Sequence, residues 1–575
     1  MNESSRTTQL PSPSLDLAGL REQVVGMDAN IDTPFGQRLM VYCDYTASGR
    51  SLHFIERYLQ GLLQTYANTH TEDDVTGRST SQLLHEAERA IKRAAGAGER
   101  GKIVACGTGA TGAIHKLQQI LGVAIAPATR SLLEAQIERH FGKKRAAAFT
   151  EAQAASQPVV FVGPYEHHSN EISWRQGLAT VVEVRLAHDG SVDLEHLEAL
   201  LTEPRYAGRL RIGSFSAASN VTGMRSPVRE IARLLHRHDA LACFDYAASG
   251  PYVQIDMNPG DDDWLDAVFI SPHKFLGGPG SSGILVFNER LYHRELAPSV
   301  AGGGTVDYVS PEDHDFIADI EERERAGTPG ILQTLRAALA FEVKEAVTHE
   351  AIESRELALL QRAFAQWSEA DGIEILGNPD PARRIGIVSF NVRDARGGYL
   401  HPKFATALLN DLFGIQSRAG CSCAGPYGHR LLGIGTDVSG QYRDWVRKGY
   451  HGIKPGWCRI GFHYVMDDVD ADYVIAAVRF IARSGHRFLP DYCFDPISGA
   501  WLHRKAGPVG TSFSLAAALA AAVPGLTALP ATERARRFAG YLAEAEALAQ
   551  AAGEPMRAGE PLLGGQFGAL QFFST

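Results

Sequence analysis

Between residues 100 and 290 the apolar positions fall in seven short runs, with helical stretches between them: Ile103–Cys106, Val159–Val162, Thr180–Val184, Arg211–Phe215, Leu241–Phe244, Val268–Ile270 and Ile284–Phe287. Strand-length runs that alternate with helical patterns predict an α/β fold, a parallel sheet wrapped by helices. Functional groups in such sheets collect beyond the carboxyl ends of the strands, and Gly109, His167, Asn220, Asp245 and His273 each fall just after a run. Residues 128–156 interrupt the alternation with a charged, alanine-rich insertion that reads as solvated helix and is assigned no chemistry. From about residue 330 the pattern changes to a long helix over Gln333–Ala346, strands over Ile385–Phe390 and Trp457–Ile460, and a helix over Asp470–Ala482, which predicts a smaller α+β domain. After Pro490 come Trp501-Leu-His-Arg504 and two alanine-rich helical stretches. The expected organisation is an N-terminal segment (1–38), a large domain (39–325), a small domain (326–485) and a helical C-terminal extension (486–575).

A chain of 575 residues is too long for one hydrophobic core, so several domains are expected on size alone. A formal charge of −10 gives no general attraction to nucleic acid or anionic membranes and directs attention to small molecules or proteins as partners. The first ten residues have no basic patch followed by an apolar core, so no secretory signal is expected. The most apolar late stretch, Leu515–Val523, is stopped by Pro524 and falls short of the roughly 20 residues that a membrane span needs. Seven unevenly spaced cysteines do not make a disulfide framework, so thiols and a cytoplasmic location are expected.

The most informative stretch is Ser271-Pro272-His273-Lys274, between an apolar run and the glycine-rich Gly277–Gly283. A lysine at a strand end can be held still and partly desolvated, a setting that suits a Schiff-base lysine, although a surface lysine on a turn has the same local sequence. Twenty-nine residues upstream, another apolar run ends in Asp245. Pyridoxal phosphate (PLP) needs this pair, a lysine for its aldehyde and a carboxylate for its pyridinium nitrogen. Gly109-Ala110-Thr111-Gly112 follows a strand and opens a helix, so its N–H groups face an anion or the glycines serve only the turn. Arg459, inside an apolar strand, needs an anion, either a substrate carboxylate or a structural ion-pair partner. Cys421 and Cys423 lie between Gly420 and Gly425, where Arg418 could lower a thiol pKa. A zinc site from Cys421, Cys423 and His429 lacks a fourth ligand, and no metal is expected.

From about residue 40 to about residue 480 the chain resembles the fold-type I PLP enzymes of the class V aminotransferase and cysteine desulfurase family. Besides Lys274 and Asp245, the resemblance rests on Gly109-Ala-Thr111-Gly-Ala-Ile114, Glu166-His167-His168-Ser-Asn170, Ser219-Asn220-Val-Thr-Gly223, Gly327-Thr328-Pro329, Arg418-Ala-Gly-Cys421-Ser-Cys423-Ala-Gly-Pro426 and Arg459-Ile-Gly-Phe462, in the family's order. It implies a large domain with a mostly parallel seven-stranded sheet and PLP as cofactor. Gly109, Ala110, Thr111, Ser271 and His273 are then expected at the phosphate, with Thr328 reaching a phosphate across the interface of a homodimer. His167 is expected to stack on the pyridine ring and Asn220 to bond the phenolic oxygen near the substrate, while His168 stays an ordinary polar loop residue. Arg459 is expected to bind the substrate α-carboxylate. Cys423 matches the persulfide-forming cysteine of SufS-like desulfurases, whereas the Cys-x-Cys loop followed by His429–Ile434 is more similar to the molybdenum cofactor sulfurase branch. Cys421 then replaces a histidine and is a candidate to trap a disulfide or relay sulfur.

One departure is Ala248, where desulfurases typically carry a glutamine. The molybdenum cofactor sulfurases lack it too, but the last ninety residues here are too short and alanine-rich for their further sulfur-delivery domain. The implied reaction splits the C–S bond of L-cysteine into alanine and a Cys423 persulfide, to be passed to a protein sulfur acceptor. The alternatives are another class V reaction (transaminase, epimerase or selenocysteine lyase) or a non-enzymatic scaffold.

Overall fold

The computed structural model describes residues 15–69, 73–368, 372–393 and 399–506. The seven apolar runs become the seven strands of one sheet: β1 (Gly101–Cys106), β2 (Val159–Val162), β3 (Thr180–Glu183), β4 (Arg211–Ser216), β5 (Ala240–Asp245), β6 (Ala267–Ile270) and β7 (Gly283–Asn288). Their spatial order is β1-β7-β6-β5-β4-β2-β3. β7 runs antiparallel to both its neighbours, and the other pairings are parallel. All four residues of β2 and of β6 are buried, which is why these strands read as continuous apolar runs rather than alternating ones.

Each face of the sheet carries its own core. On one side Val159, Phe161, Phe215, Phe244, Val268 and Ile270 pack with side chains of the helices Val75–Ala94, Val228–Arg237 and Ile331–Val347. On the other, Val160, Val162, Ile212, Phe269 and Leu285 pack with Ala110, Ala113, Ile114 and Leu117 of the helix Gly109–Ile120 and with Trp174. At roughly 1.5–3 kcal/mol for each large apolar side chain buried, these two layers hold the sheet rigid and fix the positions of its strand ends. The helix Ile331–Val347, which follows Thr328, buries its apolar face in the first of these cores.

A second, four-stranded sheet consists of β8 (Ile373–Ile375), β9 (Ile387–Val392), β10 (Arg418–Gly420) and β11 (Trp457–Gly461), in the order β8-β9-β11-β10 and antiparallel throughout. Its core takes Val388, Phe390 and Ile460 with side chains of the helices His349–Ser368, Pro402–Phe413 and Asp468–Ser484. The N-terminal chain joins this core through Cys43, and Val41–Tyr42 pairs in parallel with Ile415–Gln416.

The insertion is helical over Pro127–Ser156, broken at Gly142 where φ is 77°, and no residue in it is buried. The described chain ends after an antiparallel hairpin of Tyr492–Phe494 and Trp501–His503. The first ten residues, Leu515–Val523 and the alanine-rich stretches of the extension lie outside the described residues. Among the described residues no helix is long and apolar enough to cross a membrane.

Because the insertion buries nothing, replacing residues 132–154 with a short Gly/Ser linker should leave the fold intact. Scanning calorimetry is expected to show a thermal midpoint within about 4 °C of the parent, the effect of roughly 1 kcal/mol in a domain of 150–250 residues. A larger fall would mean that the insertion carries packing which its exposure does not reveal.

Candidate active site

Strands β5 and β6 are adjacent and parallel, with Asp245 opposite Phe269. The chain leaving β6 therefore passes Asp245 immediately, through Ser271 into the single 3-10 turn Pro272–Lys274. Lys274 and Asp245 line one cavity of about 220 Å³ at the carboxyl edge of the sheet. That cavity also takes Gly109, Ala110 and Thr111 from beyond β1, His167 from beyond β2, Asn220 from beyond β4, Ser271 and His273, and Arg418, Cys423 and Arg459 from the second sheet and its loops. Ala248 stands in the lining as well. Of the residues expected at the cofactor, Thr328 lies apart: it is exposed, and its hydroxyl accepts a hydrogen bond from Asn68 Nδ2 at 3.1 Å.

Burial controls the charges here. Desolvation, helped by the nearby Arg459 and Arg418, lowers the Lys274 ammonium from 10.5 to about 8 against the pull of Asp245. Desolvation raises the Asp245 carboxyl from 3.8 to about 6, while the Ala247 N–H, 2.8 Å from Oδ1, and the charge of Lys274 act the other way. The two groups thus have pKa values on either side of neutrality, an ionised carboxylate beside an amine that gives up its proton readily. His167 and His273 are each lowered to about 4, first by burial and then by Lys274, so both rings are neutral at pH 7. Beneath them Glu166 is buried, and Ser216 N–H, Ser216 Oγ and Asn170 Nδ2 donate to it at 2.7, 2.6 and 2.7 Å. It ties the strand end of β4 to the segment that carries His167.

One end of the cavity is shaped for an anion. Gly109 opens its helix at φ 57°, and a Cβ there would stand 2.9 Å from Ser271 Oγ and 3.0 Å from the His273 ring, so only glycine fits both the angle and the space. Ala110 N–H donates to Ser271 Oγ at 2.8 Å, Thr111 Oγ1 meets Ser169 Oγ at 2.7 Å, and Thr108 supplies no side-chain cap to the helix start. Elsewhere in the lining Thr46 Oγ1 and Asn220 Oδ1 are buried without a hydrogen-bond partner. Buried polar atoms are seldom left so, and both fit a polar group held in the cavity. A hydroxyl, a neutral histidine and a helix start at one end, with a lysine and a carboxylate inside, suit the phosphate, aldehyde and ring nitrogen of PLP.

Arg459 has a structural ion-pair partner and at the same time faces the cavity. It donates to Asp44 Oδ1 at 2.8 Å and to Asn220 O at 3.0 Å, and it also lines the cavity. Burial lowers its guanidinium pKa, with Asp44 opposing.

After β10 the chain makes a tight turn, closed by Ala424 N–H donating to Cys421 O at 3.1 Å. Its two central residues, Ser422 and Cys423, have φ of 51° and 56°, the paired left-handed conformation of a type I′ turn. Cys421 is exposed, whereas Cys423 is half-buried against the cavity. Asn220 Nδ2 donates to Ser422 O at 2.7 Å, His168 N–H donates to Cys423 O at 2.8 Å, and His168 Nε2 accepts from Gly425 N–H at 3.0 Å. His429 uses both ring nitrogens, Nδ1 against Gly425 O at 2.8 Å and Nε2 against Ser439 Oγ at 2.9 Å. Among the described residues no group of three or more His, Cys, Asp or Glu side chains is arranged to hold a metal ion.

Sequence reasoning assigned no role to Asp44, Thr46 or Glu166, and it left His168 as a polar loop residue. Asp44 carried a usable signal, since it ends the apolar Val41-Tyr-Cys43 as Asp245 ends its own run. His168 carried none, because its partners lie more than 250 residues away.

A strand-end lysine and aspartate at the edge of a mostly parallel sheet, facing a glycine-opened helix, define a PLP-type site on an α/β fold. The chain belongs to the family described as Aminotransferase class-V, whose sequence pattern matches residues 143–474. A probable cysteine desulfurase of Halalkalibacterium halodurans is 31% identical over 285 residues, 49% of this chain and 65% of that protein. One from Staphylococcus epidermidis is 32% identical over 300 residues, 51% of this chain and 68% of that one. The matched stretch thus spans just under two thirds of the first relative's length. Two solved structures share the fold. The cysteine desulfurase of Thermococcus onnurineus NA1 superposes with a TM-score of 0.60 at 20% identity, covering 77% of this chain and 95% of that one. A cysteine desulfurase of Escherichia coli gives 0.58 at 19% identity, covering 81% and 98%.

The charge balance is open to direct titration. In ligand-free protein, acylation of Lys274 followed by peptide mass spectrometry is expected to reach half its maximal rate near pH 8. Since the Asp245 charge raises the lysine pKa, Asp245→Asn should move that midpoint lower. A midpoint near 10 in either protein would contradict the desolvation described here.

Proposed function

We propose that this chain is a PLP-dependent cysteine desulfurase, which cleaves the C–S bond of L-cysteine to give alanine and a persulfide on Cys423. The observation that carries this reading is Cys423 itself, a thiol on a tight turn facing the cavity that holds Lys274, Asp245 and Arg459. Family membership supports the cofactor, and the relatives' names support the reaction.

When bound, PLP supplies an aldehyde for the amino group and an electron-withdrawing ring that makes bonds at the substrate's carbons easier to break. In this reading Lys274 would be the attachment point for the aldehyde and, freed when the substrate's amino group takes its place, would serve as the base that takes up and returns the α-proton, as its lowered pKa of about 8 suits. Asp245 keeps the ring nitrogen protonated, and neutral His167 covers the ring face and excludes water. Gly109, Ala110, Thr111, Ser271 and His273 hold the phosphate at the helix start. Asn220 orients the phenolic oxygen beside the substrate, and Arg459 binds the substrate carboxylate with its two-pronged guanidinium. Cys423 attacks the substrate sulfur as a thiolate. The new S–S bond forms as the C–S bond breaks, and alanine leaves after its carbon is protonated. Thr328, exposed and outside the cavity, suits a contact with the phosphate of a second copy, so the functional unit in this reading is a homodimer. A protein acceptor then takes the sulfur from Cys423.

Incubation with L-cysteine is expected to yield alanine and one added sulfur on Cys423, both read by mass spectrometry. Cys423→Ser should lower alanine formation by at least ~10³-fold while the visible cofactor band stays. Undiminished turnover in that variant would instead assign a class V reaction that needs no thiol, such as transamination or epimerisation. Gly109→Ala should weaken cofactor retention through gel filtration by about tenfold or more, since ~1.4 kcal/mol suffices for that. Lys274→Ala should show no visible band that borohydride removes.

A further inference from the structure

The turn that carries Cys423 has an unfavourable backbone. Two successive non-glycine residues, Ser422 and Cys423, sit in the left-handed region, which side chains with a Cβ resist. Such conformations persist where the surroundings over-determine them. Here the bonds that bear on the turn are specific: the turn's own bond to Cys421 O, Asn220 on Ser422 O, and His168 on both Cys423 O and Gly425 N–H. Of these outside partners only His168 is absent from the cavity lining, although its neighbours His167 and Ser169 are both part of it. His168 touches the cysteine loop and leaves the wall of the cavity to others.

We propose that His168 is a positioning residue of this site, a latch whose ring nitrogen and backbone N–H hold the turn in the form that points Cys423 at the cavity and leaves Cys421 outside. The ring acts through Nε2 as an acceptor, so its proton sits on Nδ1. The fit is close, since a methyl group on Gly425 would stand 3.2 Å from Nε2. His167 and His168 thus divide two tasks between adjacent residues: the first faces the cavity and the second holds the thiol loop over it. A small displacement of a reacting group is enough to slow a reaction on the order of 10- to 100-fold, which is the scale expected when the latch is lost.

The inference rests on the desulfurase reading for its effect on turnover, but it has a readout that does not. Three variants probe it: His168→Phe keeps a ring without an acceptor, His168→Gln restores a side-chain acceptor, and Gly425→Ala crowds the same contact from the opposite side. In the resting holoenzyme, iodoacetamide labelling with fragment mass spectrometry gives the ratio of Cys423 to Cys421 alkylation. That ratio is expected to rise several-fold in His168→Phe and Gly425→Ala and to return toward the parent value in His168→Gln. With L-cysteine, His168→Phe should lose 10- to 100-fold in kcat for alanine formation with KM little changed, because Arg459 is untouched. Unchanged visible absorbance and thermal midpoint establish that the variants fold and hold cofactor. An alkylation ratio equal to the parent's in both His168→Phe and Gly425→Ala, or a His168→Gln no better than His168→Phe, would overturn the latch. If the parent protein makes no alanine from cysteine, the desulfurase reading fails, while the alkylation ratio still decides the role of His168.

Discussion

Two ionisable side chains of opposite sign, a buried carboxylate and a half-buried ammonium at the ends of adjacent parallel strands, are the constraint around which this molecule is arranged. An isolated buried ammonium or carboxylate is costly, and it shifts its pKa or finds a partner. Lys274 and Asp245 do both. Desolvation moves the lysine down and the aspartate up, while each draws the other back toward its charged form. The arrangement persists because the strands carrying them are buried on both faces and cannot open toward solvent. The neutrality of His167 and His273 follows from the same burial, reinforced by the lysine charge.

The second sheet contributes what the first lacks. Arg459 comes from its strand β11 and is held by Asp44, from an N-terminal segment whose neighbour Cys43 packs in the second core. Cys423 comes from the loop after β10, where two left-handed residues cost about 1–2 kcal/mol each and are met by hydrogen bonds from Asn220 and His168. The thiol therefore reaches the cavity from a turn held by partners on the large sheet's loops. Asn220 joins the two parts directly: its side chain grips the thiol loop and its carbonyl accepts from Arg459.

Much of this was legible in the chain because burial leaves a local signature. A strand buried on both faces, as β2 and β6 are, must be apolar at consecutive positions, so the main sheet's strands appear as runs, and Lys274, Asp245, His167 and Asn220 stand out as polar residues beyond the runs. The insertion was legible for the opposite reason, a helical composition with nothing to bury, and it is helical and exposed. Arg459 was legible only as a buried cation in need of an anion. Its partner Asp44 lies 415 residues away in sequence, and no local pattern joins them. His168 was opaque because nothing in its own neighbourhood differs from an ordinary polar turn.

By itself the sequence determined the alternation of strand and helix, the strand-end placement of the lysine and aspartate, and the glycines that open the helix after the first strand, since each depends on residues close together in the chain. Only the tertiary structure decided that Arg459 pairs with Asp44 while still facing the cavity, that Cys423 faces inward and Cys421 outward, and that His168 holds their turn. Those outcomes depend on hydrogen bonds and burial between segments hundreds of residues apart, and such distances come into being only when the two sheets are packed.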